Sequence, residues 1–133
     1  MICKCGLTVR SYECDGYGHV NNANYLNYLE YARHEFLKDA GFDYPASQTA
    51  GYGIYTARIE IDYRKSAFYD DKLEIKSWPV KKGAVSGIIA QEIRRGDDLL
   101  VEAKVTWAFV DSKGVPAKIP PQWDVPGLKP EKN

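Results

Sequence analysis

Residues 13–41 read ECDGYGHVNNANYLNYLEYARHEFLKDAG and set out the architecture of the chain. Within this segment, apolar side chains recur at steps of three and four, which is the period of an amphipathic helix. The residues of this apolar stripe are Tyr25, Leu29, Ala32, Phe36 and Ala40. The pattern predicts one long helix over residues 23–40, capped at its start by Asn21 or Asn22 and ended at Gly41.

A glycine-punctuated turn precedes this helix and carries an acid, Asp15. Gly16 and Gly18 permit a tight turn and a close approach of other groups to the backbone. The free N–H groups and partial positive charge of a helix N-terminus can hold a carbonyl oxygen as it becomes an oxyanion. A carboxylate beside that terminus can act as a general base on water or attack directly. The residues alone leave a second interpretation open, in which Asp15 simply caps the turn.

The remainder of the chain shows the period of two that is typical of strands. The predicted strands are residues 7–13, 55–64, 72–78, 85–93 and 99–111. Residues 42–53 are predicted to form a loop, and the chain from about residue 120 an irregular tail. Because no repeat or linker interrupts this order, the sequence predicts a single domain over residues 1–133.

Short turns between the later strands make neighbouring strands antiparallel. One face of the resulting sheet is apolar, and the long helix is the element that can cover it. The sequence therefore predicts an α+β domain in which a curved five-stranded antiparallel sheet wraps around one helix. Such a sheet has two open edges, so we expect a twofold-symmetric homodimer, or a homotetramer built from two dimers.

Composition and charge exclude several classes of protein. The 18 basic and 18 acidic residues balance, which argues against nucleic acid as the main partner. The first residues lack the apolar run of a signal peptide, and no stretch is long and apolar enough to span a membrane, so we expect a cytoplasmic protein. Cys3 and Cys5 have no second pair to complete a metal-ligand set, so we expect free thiols and no metal site.

The sequence also resembles the hot-dog-fold acyl-CoA thioesterases related to 4-hydroxybenzoyl-CoA thioesterase. The resemblance rests first on D-x-x-G-H-V-N-N-A-x-Y at residues 15–25 and on E-x-A-R at residues 30–33. Later segments resemble the same family, namely RIEIDYR at 58–64, DDKLEI at 70–75, WAFVD at 107–111 and GVPAKIP at 114–120. The H-V-N-N run is also similar to acyl-carrier-protein thioesterases of this fold.

This resemblance implies hydrolysis of acyl-CoA or acyl-carrier thioesters to free acid and thiol, with no cofactor beyond the coenzyme A of the substrate. It places the catalytic aspartate at Asp15 and the carbonyl-polarising backbone N–H at Asn22. Gly18, His19 and Tyr25 join Asn22 in the oxyanion and substrate-binding set. Many relatives carry a histidine at the position of Asn22, whereas this chain has its histidine at 19. We therefore interpret His19 as a structural or orienting residue rather than an acid–base group.

Two alternatives and several weaker candidates remain. The chain could be an enoyl-CoA hydratase of the same fold, although residues 16–18 lack the asparagine and proline of the hydratase pattern D-x-N-P-x-H. It could also be a non-catalytic acyl-binding module. Cations at the predicted hairpin ends could meet the phosphates of coenzyme A or could simply be solvated; these are Lys81, Lys82, Arg94 and Arg95. Tyr55 and Tyr63 either line an acyl pocket or belong to the core.

Overall fold

The computed structural model describes residues 1–131, and within that range it contains five strands, two α-helices and two short 3-10 turns. The strands are β1 (Cys3–Thr8), β2 (Gly53–Tyr63), β3 (Lys72–Lys82), β4 (Ser86–Arg95) and β5 (Asp98–Val110). The α-helices are α1 (Asn22–Asp39) and α2 (Tyr44–Thr49), and the 3-10 turns are Ser11–Glu13 and Pro126–Leu128.

All five strands form one antiparallel sheet in the order β1-β3-β4-β5-β2. This confirms the predicted five-stranded antiparallel sheet with one long helix. The expectation that short turns join all the later strands is wrong at one place, because β2 pairs with β5 and not with β3. Residues 64–71 instead carry the chain across the sheet, so that β1 and β2 become its two edges.

Helix α1 is confirmed, one residue earlier at both ends than predicted. Asn21 is the cap, since its side-chain oxygen accepts from the N–H of Ala23 at 2.9 Å. The helix ends ahead of Gly41, whose φ of +81° is a left-handed conformation that favours glycine. Its buried side chains are Tyr25, Tyr28, Leu29, Ala32, Phe36 and Leu37. Each large apolar side chain buried in this way contributes ~1.5–3 kcal/mol, so packing against the sheet holds the helix in place.

The prediction of a strand over residues 7–13 begins four residues later than β1 and is wrong beyond Thr8. The chain turns instead at Ser11–Glu13. The cause is local, because the Glu13 carboxylate accepts from the backbone N–H of Arg10 at 2.8 Å and closes the turn. A side chain that bonds to the nearby backbone in this way competes with the ladder of a strand.

The predicted loop over residues 42–53 contains the short helix α2. Its cap is Asp43, whose carboxylate accepts from the N–H of Ala46 at 3.0 Å. Pro45 occupies the first turn, where its missing N–H leaves no bond unmade. The loop prediction is therefore wrong for these six residues, which carry cap signals without an apolar period.

Two strands contain irregularities that an unbroken period of two does not predict. Strand β3 continues through Pro79 to Lys82, with a register shift between Pro79 and Lys81 that accommodates a residue without an N–H. Strand β2 has a register shift between Thr56 and Arg58, and Tyr55 is exposed. Tyr55 is therefore not a core residue.

The core has two parts, which lie against the two halves of α1. The first half packs with residues of β3, β4 and β5, including Leu73, Ile75, Ile93 and Val101. The second half packs with Trp107 and Phe109 of β5 and with the chain after it, including Ile119, Trp123 and Leu128. No helix in residues 1–131 has the length and apolar character to cross a membrane.

Candidate active site

The turn before α1 folds back on itself as a small hairpin. The N–H of Asp15 donates to the carbonyl of His19 at 2.9 Å, and Cys14 bridges to Val20. At its tip, the N–H of Gly18 donates to the carbonyl of Asp15 at 3.0 Å. Gly18 has a φ of +87°, so this position favours glycine. The hairpin returns the chain directly to the start of the helix.

The Asp15 carboxylate is half-buried and its two oxygens have different partners. Oδ1 accepts from the N–H of Tyr17 at 2.8 Å, which is the turn-capping bond. Oδ2 lies 3.3 Å from Nδ1 of His19, and the same nitrogen lies 3.3 Å from the carbonyl oxygen of Val20. The capping and functional interpretations of Asp15 are therefore compatible, because one oxygen caps the turn while the other faces the imidazole.

Asn22 is the first residue of α1, directly after the cap. Its backbone N–H has no acceptor among residues 1–131, as expected for the first turn of a helix. Its carbonyl oxygen accepts from the hydroxyl of Tyr63 at 3.3 Å, which ties the helix start to the end of β2. The helix therefore presents one free donor, backed by its partial positive charge, beside the Asp15 turn.

Four of the five predicted site residues line one pocket of about 270 Å³. These four are Asp15, His19, Asn22 and Tyr25. Tyr63 and residues 64–66 close the pocket from the side of β2. Gly18 does not line it, and its part is to shape the turn. Asp15 and Asn22, the residues that carry a carboxylate and a free backbone N–H, thus line one cavity, and these two groups are the minimum that hydrolysis of an activated acyl group requires.

Tyr25 lines this pocket and connects helix α1 to the chain between β2 and β3. Its ring is buried, and its hydroxyl accepts from the N–H of Ala67 at 2.9 Å, within the connection between β2 and β3. Burial raises the pKa of the Tyr25 hydroxyl, so it stays protonated as a hydrogen-bonding group. The N–H of Val20 donates to the carbonyl of the same Ala67 at 2.8 Å. The connection is therefore held against both the hairpin and the helix.

Glu13 is the residue that sequence reasoning missed. Its carboxylate is buried and accepts from Nη2 of Arg10 and from the hydroxyl of Tyr28, each at 2.8 Å. Its backbone oxygen accepts from the N–H of Asn21 and from Nδ2 of Asn24, each at 2.9 Å. The pKa of Tyr28 is raised, chiefly by burial and next by its hydrogen bond to Glu13. Glu13 therefore anchors the hairpin to α1, and nothing in the sequence separates it from a surface charge.

Most of the cations at the hairpin ends form ion pairs with carboxylates of the same chain. Three of them pair with carboxylates at 3.3, 2.8 and 2.8 Å, namely Lys82 with Asp124, Arg94 with Glu92 and Arg95 with Asp71. These pairs favour a structural part over phosphate binding for those three. All three cysteines are free, and no cluster of three or more potential metal ligands occurs in residues 1–131.

A sheet of this order around one helix, with an acid just ahead of the helix start, is the arrangement of a hot-dog thioesterase. Comparison with known proteins agrees. The chain belongs to the thioesterase-like superfamily, whose family model matches residues 9–125. The resemblance found in residues 15–25 and the hot-dog fold it implied are thereby confirmed, and the chain is an enzyme of a thioesterase family.

Individual relatives show the extent of the similarity. The chain is 33% identical over 110 residues to the long-chain acyl-CoA thioesterase FadM of Escherichia coli, covering 80% of this chain and 82% of FadM. It is 30% identical over 122 residues to the acyl-acyl carrier protein thioesterase ATL3 of Arabidopsis thaliana, covering 86% of this chain but 61% of ATL3. The crystal structure of a probable thioesterase from Bartonella henselae superposes with a TM-score of 0.86 at 27% identity, covering 90% of this chain and all of that one (100%).

Proposed function

We propose that this protein hydrolyses acyl-CoA thioesters, with Asp15 and the backbone N–H of Asn22 as its catalytic groups. The observation that carries the proposal is that both residues line the same pocket. The similarity to FadM supports coenzyme A as the carrier, and the similarity to ATL3 supports acyl carrier protein as the alternative. The reaction needs no cofactor, because coenzyme A arrives as part of the substrate.

The thioester carbonyl lies with its oxygen toward the N–H of Asn22. Asp15 takes a proton from water as the water oxygen bonds to the carbonyl carbon, or its own oxygen makes that bond first. The oxyanion that forms accepts a hydrogen bond from Asn22 and is stabilised by the helix terminus. In the general-base route, collapse of the intermediate breaks the carbon–sulfur bond, and the thiolate receives the proton that Asp15 took from water. In the nucleophilic route, collapse releases the thiolate and leaves a mixed anhydride with Asp15; water then hydrolyses the anhydride to the free acid, restores the carboxylate and supplies the proton for the thiolate. His19, 3.3 Å from Oδ2, orients the carboxylate.

The test is Asp15→Asn, assayed by thiol release from acyl-CoA with a thiol reagent. The amide still accepts from the N–H of Tyr17, so the hairpin should keep its shape. It is neither a base nor a good nucleophile, so turnover should fall by about a hundredfold or more. Asp43→Asn is the matched control, since Asp43 caps α2 outside the pocket lining. Near-normal turnover of Asp15→Asn would refute the assignment.

The same assay separates the alternative functions. A hydratase would consume the chromophore of an enoyl-CoA without releasing thiol, and a binding module would do neither. Thiol release from a panel of acyl-CoA and acyl-carrier substrates would define the carrier and the acyl preference together.

We further propose that the protein forms a homodimer through the edge strand β2, or a tetramer of two such dimers. Strand β2 is the longer of the two edges, with 11 residues against six in β1. Its side chains Tyr55 and Tyr63 are exposed, and the unpaired backbone groups of a long edge strand favour pairing with a second strand. Light scattering at micromolar concentration should give at least twice the chain mass, and a monomer would contradict the proposal. Three free thiols support a reducing, cytoplasmic location.

A further inference from the structure

A second pocket lies on the other half of α1, away from Asp15. It has a volume of about 80 Å³. Strands β2, β4 and β5 contribute apolar walls from Ile54, Ile89 and Trp107, and α1 contributes Glu30, Arg33 and His34. The pocket is therefore a mainly apolar cavity on the sheet side, with polar groups on the helix side.

Arg33 is held in this pocket by a buried network. Its Nη1 donates to Oε1 of Gln91 at 3.1 Å. Gln91 is 1% exposed, and its Nε2 donates both to the hydroxyl of Ser77 and to the carbonyl oxygen of Leu29, each at 3.0 Å. Because the Gln91 amide is fixed at both ends, it fixes the guanidinium as well.

The guanidinium is nevertheless short of partners. Of its five N–H donors, one is used within residues 1–131, in the bond to Gln91. No carboxylate in that range forms an ion pair with the guanidinium. Burial lowers the pKa of Arg33, and the charge of Glu30 offsets this in part. A half-buried cation with a single protein acceptor in residues 1–131 keeps most of its donors unused, so these donors suit an acceptor that enters the pocket.

The pocket lies within reach of an acyl chain held at the catalytic groups. Gln91 binds the Leu29 carbonyl, which lies seven residues beyond Asn22, or roughly 10 Å along the helix at about 1.5 Å per residue. The chain positions between the residues that line the two pockets include apolar side chains that are not fully covered. These are Leu26 on α1 and Ile59 and Ile61 on β2. An acyl chain that starts at Asn22 and follows these residues brings its far end to Arg33.

We propose that Arg33 is a specificity-determining residue that binds an oxygen atom at the distal end of the acyl group. The inference rests on the proposed thioesterase function and names its substrate class: acyl groups of medium length that end in a hydroxyl or carboxylate. An oxygen next to the thioester carbonyl would lie too far from Arg33 to be recognised. A plain acyl chain would leave the free donors of the guanidinium unsatisfied.

The test compares octanoyl- and decanoyl-CoA with their ω-hydroxy and ω-carboxy counterparts of equal chain length. The wild-type protein should prefer an oxygenated chain by about tenfold or more in kcat/KM, which is the range of a hydrogen bond to a charged group. The hydroxyl and carboxylate arms show whether the preferred oxygen is neutral or anionic. Arg33→Met should remove the preference and leave turnover of the plain chains nearly unchanged, while Arg33→Lys should retain part of it.

Lys38→Met is the matched control, because it removes an exposed cation of the same helix outside the pocket lining. Equal kcat/KM for plain and oxygenated chains in the wild type would overturn the proposal. The proposal would also be overturned if Arg33→Met lowered kcat/KM equally for all substrates and changed the mass measured by light scattering. That result would mean that Arg33 pairs with a second copy of the chain. Calorimetric binding of the same ligands gives a readout independent of turnover. If the wild type binds oxygenated chains more tightly and Arg33→Met removes that difference, the result supports the proposed role of Arg33 even when no thiol is released. The absence of thiol release would then refute only the proposed hydrolysis.

Discussion

Replacing Asn22 by proline removes one proton donor from the proposed site and little else. The N–H of Asn22 has no acceptor in residues 1–131, so its loss breaks no bond of the fold. Proline is favoured at the first position of a helix, where its fixed φ suits the backbone. The preceding residue, Asn21, has a ψ of 137°, which is within the range that a following proline requires. The hydroxyl of Tyr63 still finds the carbonyl of residue 22.

The expected effect therefore falls on the reaction and not on the fold. Losing one donor to an oxyanion costs about 2.7–4 kcal/mol, or roughly a hundred- to thousandfold in rate. Asn22→Ala is the matched control, since it keeps the N–H and removes only an exposed side chain. Because Asn21 and not Asn22 is the cap, the alanine variant should lose neither stability nor much turnover.

The measurement is turnover by thiol release for both variants, with thermal melts to establish that each is folded. If the alanine variant is inactive while a folded proline variant works, the side chain of Asn22 is the functional group and the backbone-donor mechanism is wrong. If both variants work, the oxyanion donor lies elsewhere.

Two further predictions concern stability. Glu13→Gln should lower Tm by several degrees, because the amide loses charged hydrogen bonds to Arg10, which contribute about 1.5–3 kcal/mol. Glu60→Gln, at an exposed position, is the control. Equal Tm values for the two variants would contradict the role of Glu13 as an anchor. Burial, and then the Asp39 carboxylate, raises the pKa of Cys3 from 9.0 to about 12, so its folded state favours the neutral thiol. The stability this provides is complete below pH 9 and is lost as the pH rises from about 9 to 12. Urea titrations at pH 8 and 11 should show a larger loss for wild type than for Cys3→Ala, and equal losses would refute the pKa shift.

The helix and the long strands could be predicted because their patterns extend over ten or more residues. Helix α1 shows its apolar stripe over five turns, and β5 alternates through Trp107 and Phe109, both buried. The pairing of β2 with β5 could not be predicted in this way, because residues 64–71 give no signal for the direction they take. Helix α2 was missed because its six residues are marked by a cap and a proline instead of a period.

The residues of the candidate site also differ in whether a local sequence pattern or a long-range contact brings them together. Asp15, Gly18 and Asn22 lie in one continuous turn and helix start, so a local motif is enough to bring them together. The role of Glu13 depends on a hydrogen bond to Tyr28, which lies 15 positions away in the sequence. The role of Arg33 depends on a hydrogen bond to Gln91, which lies 58 positions away. Contacts over such separations are set by packing of the whole sheet on the helix, and a single sequence does not contain them.

Helix α1 links the two proposed contacts with the substrate. At its start, Glu13 fixes the helix to the hairpin of Asp15 through the N–H of Asn21. In its middle, Gln91 fixes the same helix to the sheet and holds Arg33. Because a helix behaves as a rigid rod over this length, a shift along its axis would move the oxyanion donor and the distal contact together. Rate and acyl selectivity should therefore change together in variants that loosen the packing of α1, whereas variants of Arg33 alone should change selectivity only.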